Sequence, residues 1–415
     1  MTPRVGLIGM PVSHSLSPLI HQALHPIPYH LYETLDIKSV LDDKRVIGLN
    51  VTAPLKEKAF ELASFKDPFA LKTGAVNTLI KRPDGLYGYN TDVLALIDIF
   101  KIHLTVSKET PITIVGNGAT EKSVRCALEE IGYDHIQTVA RHPKENQVSW
   151  HDSILAPQVL IQATPLGMTH LEDEFPIDRF DLSQTTFILD LIYAPLNTPL
   201  LQAAKKNNIP FLNGLPMLIA QATHAAMLFT GHTIDNAVSL ALEKKLIQAT
   251  ENIVIIGMPY SGKTTLGKAL SVSLKKPFID IDALIEKEVN MSIPDYIDRY
   301  EEIRFRAVEN KVISSLKDKT NMVIATGGGS ILDSSNVEAL KLNGCFLYLD
   351  SPTPKTFDHT RPLTSDLKMY LARKKERQPL YESISDITLK GYQATHEYIK
   401  EFKIKYEAYL NTKWP

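Results

Sequence analysis

The chain has 415 residues, 45 Lys and Arg against 47 Asp and Glu, and a formal net charge of −2. At roughly 100–200 residues per domain this length predicts two to four domains, and the near-neutral balance excludes the basic stripe of a general nucleic-acid binder. A hydrophobic content of 44% with 22% charged residues excludes a wholly disordered chain. No stretch reaches about 18 uncharged apolar residues, so no membrane span is expected. The opening run MTPRVGLIGMPVS meets Pro and polar residues after a short apolar stretch and reads as a first strand, not as a secretory signal. Two cysteines, Cys126 and Cys345, exclude a disulfide framework and fit core thiols in a reducing, cytoplasmic setting. Oligomeric state is left open.

The N-terminal block, residues 1–104, carries the strand-like runs VGLIG, VIGLNVTAP and AVNTLI. HSLSP sets Ser15 and Ser17 two apart in a turn held by Pro18, and LNVTAPLK sets Asn50, Thr52 and Lys56 along a strand and its exit. GAVNTL adds Asn77, and GYNTD adds Asn90, Thr91 and Asp92. Hydroxyl and amide groups in this number suit a polyhydroxylated acid. Lys56 and Asp92 form either a surface ion pair or a proton-transfer couple. In carbonyl reduction the oxygen gains negative charge as hydride arrives; a lysine can stabilise it and donate a proton while an aspartate orients the lysine. His21 and His25 have the spacing of a metal pair, but no carboxylate or cysteine completes a site, and they read as surface or core histidines.

ITIVGNGATEKSVRCALEEIG reads strand, tight turn, helix, the opening unit of a doubly wound domain, with Gly116, Gly118 and Ala119 at the turn. About 20 residues on, an NAD site usually carries an acid. Here TVARHPKE brings Arg141, which suits the 2′-phosphate of NADP; a solvated loop arginine is the plainer alternative. Glu121 beside a pyrophosphate is unfavourable unless it points away or pairs with Lys122. VLIQATPLGM, FILDLIY and PFLNGL suit further βα units, and Ile234–Gln248 has helical spacing.

Over about Val5–Leu246 these motifs resemble shikimate dehydrogenase: G-x-P-V-x-H-S-L-S-P, N-V-T-x-P-x-K, G-A-V-N-T, N-T-D, A-T-P-L-G-M, D-x-I-Y-x-P and N-G-L-x-M-L-x-x-Q-A. The resemblance implies that Lys56 and Asp92 are catalytic and that Ser15, Ser17, Asn50, Thr52, Asn77 and Gln221 bind dehydroshikimate or shikimate. It implies that Thr164, Gly214 and Met217 line the nicotinamide side, with Tyr193 near substrate and nicotinamide.

The short polar segment Gln248–Asn252 marks the junction to a second nucleotide unit, NIVIIGMPYSGKTTLGKAL. Its glycine spacing differs from that of the first turn, so the two are not a repeat. Gly257, Gly262, Lys263 and Thr264 form G-x-x-x-x-G-K-T: backbone amides curl toward phosphates, Lys263 adds a point charge, and the Thr264 hydroxyl can ligand Mg²⁺. Thr265 extends this set into the helix that follows. FIDID sets Asp280 and Asp282 at the end of a strand on one face, one to hold Mg²⁺ and one to receive a hydroxyl proton. FRAVE puts Arg306 and Glu309 a helical turn apart, and VIATGGGSIL runs a strand into Gly327, Gly328 and Gly329, a close approach for a small polar substrate or only a turn. RKKER (Arg373–Arg377) reads as a solvated helix face.

With R-P-L at Arg361–Leu363 and R-x-P-L-Y at Arg377–Tyr381, these motifs follow the order and near-spacing of shikimate kinase, which the segment Asn252–Tyr398 resembles. The resemblance implies that Arg306 and Arg377 pair with the shikimate carboxylate, as planar guanidinium forks suit. It places Asp282 on the reacting hydroxyl, Asp280 in the Mg²⁺ shell, Gly327–Gly329 against the substrate, and Arg361 on a lid over the transferred phosphoryl.

The expected fold class is therefore α/β: a substrate domain (1–104, with a returning helix at about 232–248), a Rossmann-like NADP domain (105–231) and a P-loop kinase domain with a central parallel sheet (252–415). The expected function is NADPH-dependent reduction of 3-dehydroshikimate to shikimate, then ATP- and Mg²⁺-dependent phosphorylation to shikimate 3-phosphate, on the way to chorismate and aromatic amino acids. The partners are small molecules, without nucleic acid or membrane. Two alternatives stay open: a quinate or NAD-preferring dehydrogenase, and one silent half acting as scaffold or sensor, which Glu121 and the short segment SPTPKTFDHT before Arg361 motivate.

Overall fold

The computed structural model describes residues 2–13, 15–169, 171, 173, 175–357, 366–391 and 393–412. It divides into two compact units. The first comprises Met1–Gly167, Asp173–Tyr193 and Ala203–Lys245; the second comprises Met168–Glu172, Ala194–Gln202 and Leu246–Pro415.

Unit 1 holds two six-stranded sheets. The strands of the first are β1 (Arg4–Gly9), β2 (Tyr29–Glu33), β3 (Val46–Val51), β4 (Phe65–Lys66), β5 (Thr78–Arg82) and β6 (Gly85–Tyr89), in the order β2-β1-β3-β5-β6-β4. It is mixed: β1 is parallel to β2 and β3, and β5 runs antiparallel to both β3 and β6. The second sheet contains β7 (Ile112–Val115), β8 (Ile136–Ala140), β9 (Val148–Ser149), β10 (Val159–Gln162), β11 (Phe187–Asp190) and β12 (Phe211–Leu212), in the order β12-β11-β10-β7-β8-β9, all parallel. Every residue of β7, β10 and β11 is buried, which is why these strands read as predominantly apolar runs and not as alternating ones.

Unit 2 carries a five-stranded, all-parallel sheet of β13 (Asn252–Ile256), β14 (Phe278–Asp280), β15 (Val323–Ala325), β16 (Gly344–Asp350) and β17 (Ile387–Lys390), ordered β14-β15-β13-β16-β17. In both parallel sheets the strand leading into the glycine turn, β7 or β13, sits where the order reverses. Crevices form at the carboxyl ends of such strands.

Three expectations need correction. The returning helix is Asn236–Thr250, not 234–248. Its start is set by Asp235, whose carboxylate accepts from Ala237 N–H at 2.8 Å. At its end Lys276 Nζ donates to the carbonyls of Gln248 at 2.7 Å and Glu251 at 2.6 Å, a long-range cap that local spacing does not reveal. At the junction segment, Glu251 and Asn252 are buried. Asp282 does not share a strand with Asp280. Asp280 ends β14 and caps the helix Ile281–Val289, its carboxylate accepting from Asp282 N–H at 3.1 Å, so Asp282 lies in the first helical turn. Nor is RKKER wholly a solvated face, since Arg377 is 2% exposed.

Burial makes Glu251 a stability determinant. Its carboxylate accepts from the hydroxyls of Tyr406 at 2.9 Å and Tyr409 at 3.0 Å on the C-terminal helix Thr395–Thr412. Glu251→Ala removes that acceptor from two buried phenols, a loss of about 2 kcal/mol or more. The expected result is a fall of roughly 5 °C in the melting midpoint of unit 2 by scanning calorimetry; an unchanged midpoint contradicts the assignment.

Candidate active sites

Register builds the first site. Pairing of β3 with β5 sets Asn50 opposite Thr78, and pairing of β5 with β6 sets Thr78 opposite Tyr89. Asn90 follows and caps the helix Thr91–His103, so Thr91 and Asp92 stand in its first turn. Lys56 opens the helix Lys56–Leu62 just after β3. Its Nζ donates to Asp92 Oδ2 at 2.7 Å, with side chains only 20% and 10% exposed. Such a pair is too sheltered to be a solvated surface contact. Asn77 Oδ1 accepts from Thr91 N–H at 2.8 Å, which fixes the amide so that Nδ2 donates to Thr91 Oγ1 at 3.0 Å and Asp92 Oδ1 at 2.9 Å. Asn77 thus braces Asp92. Ser15 donates to Ser17 at 3.0 Å, and Thr52 packs its methyl where a side chain on Gly9 would stand. His21 and His25 are core histidines, His21 Nδ1 lying 3.0 Å from His25 Nε2. No group of three or more metal-ligating side chains occurs among the described residues.

Around the first glycine turn, Gly116 has φ 120° and packs on Thr164, while Gly118 opens the helix Ala119–Glu130 with empty space where a side chain would be. That is the clearance a pyrophosphate needs. Of the two ways out of the conflict raised by Glu121, pointing away or pairing with Lys122, the structure has the first: Glu121 turns inward and accepts from Arg125 Nε at 3.1 Å and Thr138 Oγ1 at 2.7 Å. Lys122 instead faces Glu57 at 3.6 Å, which places the start of the Lys56 helix beside this turn. Arg141 follows β8, partly exposed, and pairs with Asp173 at 3.1 Å. Gly214, Met217 and Gln221 belong to the start of the helix Leu215–Thr230, Gly214 as its cap, and Gln221 Nε2 donates to Leu218 O at 2.8 Å. Burial pushes the Tyr193 phenol up from its ordinary pKa.

In unit 2, Gly257 at φ 149° and Gly262 at φ 90° bend the loop, and Lys263 Nζ donates to the carbonyls of Gly257 at 2.9 Å and Met258 at 2.8 Å. Ser261 Oγ is buried without a hydrogen-bond partner inside this loop. Thr264 and Thr265 stand in the first turn of the helix Lys263–Leu274, and Thr264 Oγ1 donates to Asp280 Oδ2 at 2.7 Å. A hydroxyl and a carboxylate oxygen at that spacing fit a Mg²⁺ shell, and the orphaned hydroxyl fits a phosphate.

The three glycines are not a flexible turn. None of them has positive φ; each gives way to a neighbour. A methyl on Gly327 would lie 2.9 Å from Asp282 Oδ1 and 3.0 Å from Glu309 Oε1, and one on Gly329 would lie 2.4 Å from Arg306 Nη2. Fully buried Glu309 holds Arg306 Nη1 at 2.7 Å and accepts from Ser330 Oγ at 2.6 Å. Arg377 Nη1 donates to Gly328 O at 2.9 Å, while its Nε and Nη2 are buried without partners. Burial, with Arg373 and Arg306 nearby, pulls its pKa below the usual arginine value. The structure therefore brings Asp282, Arg306, Gly327–Gly329 and Arg377 together, whereas Arg361 lies outside the described residues.

Comparison with known proteins agrees with this geometry. A family model described as shikimate dehydrogenase substrate binding domain matches residues 7–79. The shikimate dehydrogenase (NADP(+)) of Clostridium beijerinckii is 31% identical over 257 residues, covering 57% of this chain and 95% of that protein. The chain belongs to the shikimate dehydrogenase family. The corresponding protein of Caldanaerobacter subterraneus is 32% identical, with 55% of this chain and 92% of that one covered. A solved chorismate mutase/shikimate 5-dehydrogenase fusion from Clostridium acetobutylicum aligns with TM-score 0.55 and 28% identity over 59% of this chain and 97% of its own. The shikimate 5-dehydrogenase of Thermus thermophilus, solved with NADP(H) and shikimate, aligns with TM-score 0.52 and 26% identity over 59% and 99%. Beyond the shikimate dehydrogenase part, a shikimate kinase family model matches residues 259–406. The chain is a bifunctional shikimate-pathway enzyme.

Several residues at the dehydrogenase and kinase sites escaped sequence reasoning. Thr78 and Ser330 directly follow residues singled out in GAVNTL and TGGGS, so adjacency was the available signal. Tyr29, whose hydroxyl donates to Asn50 Oδ1 at 2.9 Å, carried none. Gly329→Ala gives a direct check on the kinase pocket. The added methyl meets the guanidinium of Arg306, a side-chain end and not backbone, and displaces it from Glu302 and Glu309. Steady-state kinetics should show KM for shikimate raised on the order of tenfold with KM for ATP unchanged; an unaltered shikimate KM contradicts the placement of Arg306.

Proposed function

We propose that the N-terminal part reduces 3-dehydroshikimate to shikimate and that the C-terminal part phosphorylates the shikimate 3-hydroxyl, with NADP, ATP and Mg²⁺ as cofactors. When bound, NADPH supplies the hydride and Mg·ATP the phosphoryl group. Lys56 donates a proton to the carbonyl oxygen as charge gathers there, and Asp92, braced by Asn77, keeps the ammonium aimed. Ser15, Ser17, Asn50, Thr52 and Gln221 hold the ring hydroxyls and carboxylate, and Tyr193 and Thr164 face the nicotinamide with Gly214 and Met217. Gly116, Gly118 and Ala119 pass the pyrophosphate, and Arg141 meets the 2′-phosphate.

In the kinase, Gly257, Gly262, Lys263 and Thr265 hold the phosphates, and Thr264 and Asp280 hold the cation. Arg306 and Arg377 grip the carboxylate, Gly327–Gly329 admit the ring, Asp282 takes the hydroxyl proton, and Arg361 closes over the transferred group. The domain boundaries belong to the same reading: 1–104 with the returning helix for substrate, 105–231 for NADP, 252–415 for the kinase. The observation that carries the kinase half is Arg377, a buried cation with two unpartnered nitrogens near Arg306, on the glycine run that Asp282 also approaches. That arrangement demands a planar anion whose hydroxyl reaches a base.

A coupled assay from 3-dehydroshikimate, NADPH and Mg·ATP tests the whole reading. NADPH loss and phosphorylated product should both appear. Lys56→Ala should abolish the first step alone, and Lys263→Ala the second alone. Faster turnover with NADH or quinate, or no ATP-dependent product from added shikimate, overturns the corresponding half.

A further inference from the structure

The dehydrogenase site has two parts that need a common frame: Asn50, placed to bind substrate, and Asp92, which orients the proton donor. Both reach one hydroxyl. Thr78 Oγ1 accepts from Asn50 Nδ2 at 3.1 Å and lies 3.3 Å from Asn77 Oδ1 and 3.4 Å from Thr91 Oγ1, where its single proton can go. Asn77 continues to Asp92 at 2.9 Å and Asp92 to Lys56 at 2.7 Å. On the far side, Tyr29 OH donates to Asn50 Oδ1 at 2.9 Å, so the Asn50 amide is held at both ends. Thr78 and Thr91 are fully buried, and Asn50, Asn77 and Tyr29 nearly so. Water therefore does not replace a lost partner cheaply.

We propose that Thr78 is a positioning residue for the reduction: its hydroxyl locks the substrate-binding amide of Asn50 to the Asn77 brace of the catalytic pair. It touches no reacting atom. The inference rests on the dehydrogenase reading above, and it concerns the hydroxyl rather than the bulk of the side chain. Thr78→Val keeps the branched shape and removes the acceptor for Asn50 and the donor for Asn77. Asn50 then loses its fixed orientation, and the Asn77 brace of Asp92 loses one contact while its bond from Thr91 N–H remains.

The test uses the full chain. Wild type, Thr78→Val and Thr78→Ser are compared for KM and kcat with 3-dehydroshikimate, for NADPH affinity, and for kinase activity. The expected outcome for Thr78→Val is KM for 3-dehydroshikimate raised on the order of tenfold, a smaller fall in kcat, and unchanged NADPH affinity and kinase activity. Thr78→Ser restores the wild-type values to within about twofold, because the hydroxyl returns without the methyl. Wild-type kinetics in Thr78→Val, or equal impairment in Thr78→Ser, overturns the proposal. Should Thr78→Val fail to bind NADPH because it does not fold, Tyr29→Phe decides: a raised KM for 3-dehydroshikimate supports the held amide, and an unchanged KM refutes it. A wild-type chain that does not reduce 3-dehydroshikimate at all sinks the dehydrogenase reading itself, which is a separate failure.

Discussion

Taking a charge out of water requires a partner for it, and the two sites meet that requirement in opposite ways. Lys56 and Asp92 satisfy one another and are held by buried amides and hydroxyls, so the dehydrogenase site is charge-balanced before any ligand arrives. Arg377 is not balanced. It has one carbonyl partner, two unpartnered nitrogens and the guanidiniums of Arg373 and Arg306 nearby. The kinase site thus holds an uncompensated cation, and in the proposed function a substrate carboxylate pairs with it.

That imbalance explains other features of the same unit. Glu309 and Glu302 pair with Arg306 through Nη1 at 2.7 Å and Nη2 at 2.8 Å, and Ser330 steadies Glu309. Three successive glycines remove the side chains that would otherwise fill the space Asp282, Pro259 and Arg306 occupy. The Gly328 carbonyl accepts from both Arg377 and the Tyr381 hydroxyl, so the glycine run and the R-x-P-L-Y motif are one construction.

Much of this was legible in the sequence because the chemistry demands residue types that announce themselves. Strand–glycine–helix punctuation located β7 and β13, and their complete burial follows from parallel sheets covered on both faces. Local rules failed where a distant group intervened. Lys276 extends the helix Asn236–Thr250 past its expected end from outside that helix, and Thr138, on a neighbouring strand, helps turn Glu121 inward. Asp282 was misplaced because one aspartate, Asp280, both ends a strand and caps a helix, a switch that two-residue alternation does not foresee. The bracing roles of Thr78, Tyr29 and Ser330 went unassigned for another reason: a hydroxyl in a strand or turn carries no sign of its partner, and only the fold brings the two together.

The central claim is that one chain holds two separate pockets for the same ring acid, and that the second depends on the unbalanced Arg377. Equilibrium binding of labelled shikimate to the full chain measures this directly. The account predicts two equivalents bound per chain, falling to one in Arg377→Ala while the Lys56–Asp92 site keeps its own. A single equivalent in the unaltered chain, or two retained after Arg377 is removed, would contradict it.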